Sequence, residues 1–104
     1  MSASVIVTPW PESNPPTEKR IRAKLAEEGL NPYRWDNDAF DTYAAHSHPF
    51  HKVIYVIQGS ITFGLPEYNE ARELHAGDRL NLPANVRHDA MVGAHGVICL
   101  EAHR

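Results

Sequence analysis

The chain has 104 residues, 42% of them hydrophobic, which suits one ordered domain and leaves no room for two substantial ones. Ten Lys and Arg against thirteen Asp and Glu give a net charge of -3, and no basic aromatic tract offsets it locally, so nucleic acid is not an expected partner. Cys99 is the single cysteine, which excludes an internal disulfide and a cysteine-rich zinc framework.

Residues 1–16 carry Pro9, Pro11, Pro15 and Pro16 around a short apolar island, Val5 to Val7. Prolines prevent a regular interior strand, so this stretch reads as an N-terminal arm: a short strand, then a segment lying on the surface. Residues 17–104 read as one domain. It starts with a helix over 17–28, in which Thr17 can cap the first turn, Glu18 suits the helix field, and Ile21 and Leu25 share a face. Gly29 then offers a stop.

Beyond Asn31 and Pro32 the pattern changes to short extended runs. Strands are expected at 39–46, 52–58, 61–63, 71–74, 79–82, 88–92 and 97–102, with turns at Gly59, Gly64 to Pro66, Gly77 and Asp78, Pro83 to Asn85, and Gly93 to Gly96. Many short strands with regular turns point to an all-β sandwich or small barrel. The run Lys52 to Gln58 is apolar on both faces, so each face needs cover. The helix, an edge element or a second copy in a homodimer would supply it.

His46 and His48 stand two apart in an extended segment and therefore share a side, which makes them a potential chelating pair. His88 lies far downstream, where a turn-rich region can return it to them. Thr42 shares their parity and is small enough to leave room for a ligand. Phe50 belongs at the rim. Tyr55 either packs in the core or offers a pocket hydroxyl. Cys99, between Ile98 and Leu100, reads as an inert buried thiol.

Two blocks carry a family resemblance. The first runs from His46 to Gly59 (HSHPFHKVIYVIQG), and the second from Gly77 to His88 (GDRLNLPANVRH). In order and spacing they resemble the paired motifs of the cupin superfamily. That resemblance implies a double-stranded β-helix, the cupin jelly-roll barrel, here with a short N-terminal helix. It also implies that His46, His48 and His88 converge to bind a divalent transition metal: Zn, Fe, Ni or Mn. His51 becomes a fourth ligand if the turn at Pro49 brings it round.

The sequence departs from the family pattern at Asn85, where glycine is more usual, and at Lys52, where metal-binding cupins commonly place glutamate. Asparagine tolerates left-handed turn geometry. A lysine adds positive charge beside three neutral imidazoles and opposes a metal unless an anion meets it. Lys52 is therefore the expected contact for an anionic small molecule, with Phe50, Thr42 and Tyr55 as further candidates. The expected function is a metal-binding protein acting on such a molecule, as an oxygenase or isomerase. The alternatives are a metal-free small-molecule binding or sensor protein, and a pocket that only stabilises the fold. No leader or membrane-spanning pattern stands out, so a cytoplasmic protein without a membrane partner is expected.

Overall fold

In the computed structural model, which describes residues 4–104, the Thr17 hydroxyl accepts from the Arg20 backbone N–H at 3.1 Å and caps helix α1, Glu18–Glu27. Glu18 in the first turn and Lys24 in the last both suit the helix field. Ile21 and Leu25, one turn apart, are fully buried, and Gly29 follows the helix at φ 73°.

Among the described residues seven strands make one antiparallel sheet: β1 Ile6–Thr8, β2 Tyr33–Asn37, β3 Thr42–His46, β4 Lys52–Leu65, β5 Glu70–His75, β6 Arg79–Leu82 and β7 His88–His103. The order is β1-β6-β4-β7-β2, with β3 also paired to β7 and β5 to β4. This corrects the expected jelly-roll barrel. The pairing path ends at β1 on one side and β2 on the other, nothing joins those ends among the described residues, and the sheet is not closed into a barrel. It curls around a core without hydrogen-bonded closure. The first three residues of the expected arm lie outside the described part; further along, Val5 is buried and β1 pairs with β6.

Two pairs of expected strands are each one long strand. The 52–58 and 61–63 runs are continuous in β4, and 88–92 and 97–102 are continuous in β7. Gly59 is the reason the first pair does not break. It has φ 82°, and a Cβ there would stand 2.0 Å from the Gly96 carbonyl oxygen, so the residue allows the two strands to touch where a turn was expected. A register shift between Val56 and Gln58 changes which residues face inward. Ile54 and Val56 enter the core before it, and Ile61, Phe63 and Leu65 enter after it.

A second cluster lies on the other face. Val53, Tyr55 and Leu100 from the sheet pack on Ile21 and Leu25 of α1. The apolar outer face of β4 is thus covered by the chain's own helix, one of the three covers expected for it. Arg79 and Arg104 both pair with Glu28 just beyond the helix, fastening it to β6 and the C-terminus. Among the described residues no helix is long and apolar enough to cross a membrane.

Candidate metal centre

His46 closes β3 and His88 opens β7, and the two residues are register partners. His48 follows in the loop, where its carbonyl accepts from the Asn85 backbone N–H at 2.7 Å. Asn85 has φ 67°, the left-handed conformation asparagine tolerates. The turn of the second motif thereby fixes the loop of the first.

The three imidazoles converge, each offering a nitrogen, and these nitrogens all lie within 4.8 Å of one another. His46 Nδ1 lies 2.7 Å from the Ala44 carbonyl and His88 Nδ1 lies 2.9 Å from the Val86 carbonyl. A carbonyl only accepts, so both Nδ1 atoms carry protons, and in the neutral ring Nε2 keeps the lone pair. His48 Nε2 is buried without a hydrogen-bond partner. An orphaned buried polar atom costs about 1–3 kcal/mol unless something partners it, and a cation bound by all three rings would do so. Nitrogens about 2.1 Å from one ion stand roughly 3.4 Å apart, so a small inward rotation of the rings closes the site. Burial first, and then the neighbouring Lys52 and histidine charges, holds His48 below the usual histidine range. Burial likewise lowers His88, against the opposing effect of its carbonyl bond. Both shifts favour the neutral, ligating form.

Beside the triad is a cavity of about 250 Å³, walled by Ile54, Ile61, Phe63 and Ala90 with the rings of Tyr33, Trp35 and Tyr43. Lys52 and Glu101 both line it. Glu101 is 3% exposed and is the residue the sequence reading missed. It accepts from Tyr33 Oη at 2.5 Å, from His103 Nε2 at 2.7 Å and from Trp35 Nε1 at 3.2 Å, and it pairs with Lys52 Nζ at 3.3 Å. An anion that meets Lys52 is thus supplied by the chain itself: the carboxylate absent from the first motif is met by one from β7. Burial pushes the Glu101 carboxyl up, but the hydrogen bonds from Tyr33 and His103 and the Lys52 charge outweigh it and hold the group below the usual carboxylate range. Burial and Glu101 together raise Tyr33, which stays a donor.

Other expected contacts fall elsewhere. Thr42 is exposed and outside the cavity, because a register shift between Tyr43 and His46 breaks simple alternation and turns Tyr43 toward the site. Tyr55 is buried against α1 on the opposite face, with Arg79 at 3.4 Å from its hydroxyl. Phe50 stacks on His48, with ring centroids 5.1 Å apart, and meets His103 at 4.2 Å. His51 does not join the triad; its Nε2 is buried without a partner, for which nothing in the structure accounts. Cys99 is buried in the core, where burial raises its thiol.

No protein-family model and no curated protein matches the chain. Solved structures do. An RmlC-like cupin from Shewanella frigidimarina is 24% identical with a TM-score of 0.61, over 71% of this chain and 64% of that one. The DMSP lyase DddQ from Ruegeria pomeroyi is 24% identical with a TM-score of 0.64, over 72% of this chain and 38% of that one. KdgF from Halomonas sp. is 27% identical with a TM-score of 0.57, over 72% of this chain and 69% of that one. The match thus spans less than two thirds of the first two proteins, and what is shared with all three is the fold.

Proposed function

We propose that this chain, a small single-domain protein with the fold that cupins share, binds a divalent transition metal through His46, His48 and His88 and receives a small molecule in the adjoining cavity. One observation carries the reading: three imidazoles, two oriented by backbone carbonyls and the third with its buried Nε2 left without a hydrogen-bond partner, face one another within bonding reach of a single ion. An all-imidazole set suits Zn, Fe or Ni better than Mn, which favours oxygen ligands.

A bound metal would supply a Lewis acid that polarises an oxygen-bearing group of the ligand. The chain's own residues do the rest. The Ala44 and Val86 carbonyls hold the rings in the ligating tautomer, and Phe50 packs against His48. The aliphatic and aromatic walls exclude water from the ligand's body. Lys52 offers a cationic donor to an anionic end. Oxygenase and isomerase chemistry both fit such a site.

Calorimetric titration of chelator-treated protein with zinc and with nickel tests this. Wild type should bind with a stoichiometry of about one. His48→Ala should lose more than about 100-fold in affinity, beyond what loss of an outer-shell partner typically costs. Equal affinity in the two proteins would place the metal elsewhere.

A further inference from the structure

The polar groups around the cavity are mostly committed to one another. Trp35 has a single donor and Tyr33 a single hydroxyl proton, and both go to Glu101. The Tyr43 hydroxyl donates to Asn37 Oδ1 at 2.6 Å. Lys52 differs. Its ammonium has three donors, Glu101 takes one, and the side chain is only 14% exposed. Away from the triad, Lys52 is therefore the cavity's cationic donor with protons to spare, and its charge is cancelled by Glu101 rather than by a ligand.

The charge balance bears on what enters. Lys52 and Glu101 sum to zero and three neutral imidazoles add nothing, so a divalent metal leaves an uncancelled 2+ in a low-dielectric cavity, which favours an anion. The remaining wall is apolar. At about 250 Å³ the cavity lies below the roughly 300–1,000 Å³ that drug-sized ligands occupy, so the ligand is small.

We infer that Glu101 is a positioning residue: it holds Lys52 as the second anchor, beside the triad, for a small carboxylate carried on an apolar body. The inference rests on the cavity being the ligand site of the function proposed above. Tyr33 faces Glu101 directly across the β2–β7 ladder, and Ile54 faces it across the β4–β7 ladder, with Lys52 two residues before Ile54. Three strands thus fix the pair, and Glu101 sets where the ammonium stands.

The test is calorimetry of zinc-loaded protein with three probes: benzoate, its uncharged counterpart benzamide, and acetate, which lacks the apolar body. Benzoate should bind at least about tenfold tighter than either, the scale of one hydrogen bond to a charged group. Lys52→Met should lower the benzoate-to-benzamide ratio by about tenfold and Lys52→Arg should keep it. Glu101→Gln should keep zinc yet change that ratio by about tenfold, a change in selectivity that a merely structural residue would not produce. Equal binding of benzoate and benzamide to wild type, or an unchanged ratio in Glu101→Gln, would overturn the inference. Should Glu101→Gln not fold, the Lys52 ammonium is read directly by nitrogen NMR in wild type: a resolved, slowly exchanging signal supports the anchored pair, and a freely averaged one overturns it. Protein that binds no zinc but still prefers benzoate through Lys52 would sink the metal proposal and sustain this one; zinc-loaded protein without the preference would do the reverse.

Discussion

At Lys52 the sequence raised a question that only the fold answers. A lysine in place of an acidic metal ligand looks like repulsion until Glu101, 49 positions later by its number, is seen 3.3 Å away. The signal for Glu101 was present: it alternates with Val97 and Cys99 on the inward face of an otherwise apolar run, so a carboxylate there had to be paired. Tyr33 and Trp35 were harder to find, since the stretch Tyr33 to Asn37 is largely polar and reads as loop. Breaking the pair on one side should be costly. Glu101→Leu leaves the Lys52 ammonium buried and unpaired, and is expected to lower stability by about 3–5 kcal/mol in chemical denaturation. Lys52→Met/Glu101→Leu together should recover most of that loss, because no unpaired charge remains. Recovery of less than half would mean that the hydrogen bonds to Glu101, and not the charge, carry the energy.

Among the elements, the helix was legible because capping, charge and apolar spacing agree on one segment. The two long strands were not, because Gly59 and the stretch Gly93 to Gly96 look like turns. Glycine marks both a reversal and a close approach of two backbones, and sequence does not distinguish them. Thr42 was misplaced for a different reason, a register shift between Tyr43 and His46 that undoes the two-residue alternation. Gly59→Ala separates the readings. A Cβ at φ 82° and 2.0 Å from the Gly96 carbonyl forces β4 and β7 apart, so the substitution should cost more than about 1–3 kcal/mol, measured as a shift in urea midpoint at constant slope. A cost near zero would show that the residue acts as an ordinary turn. Leu25→Ala should cost about 2–5 kcal/mol, since α1 holds to the sheet through that small cluster.

For the molecule as a whole, pH and metal act through the same residues. His48 and His88 titrate below their usual 6.5 in the fold, so the unfolded chain binds protons first as pH falls. Their contribution to stability is complete above about 6.5 and is lost below it. Glu101 lies below the usual 4.5, so its contribution is lost only as pH falls through 4.5 and lower. Metal-free protein should therefore unfold more easily in two acid stages, and His48→Asn/His88→Asn should remove the first while leaving the second, by denaturant melts at pH 8, 6 and 4. Metal should move the whole curve upward, by about 2.7 kcal/mol at a free concentration 100 times its dissociation constant. The paired motifs made the triad legible, whereas the open sheet was not, because closure depends on whether two strands distant in sequence, β1 and β2, meet. The function turns on whether the three imidazoles hold an ion, and elemental analysis of untagged protein purified without chelator reads this directly. About one zinc, iron or nickel per chain in wild type, and none in His46→Ala/His48→Ala, is the expected result; wild type that carries no metal and takes up none on titration would contradict it.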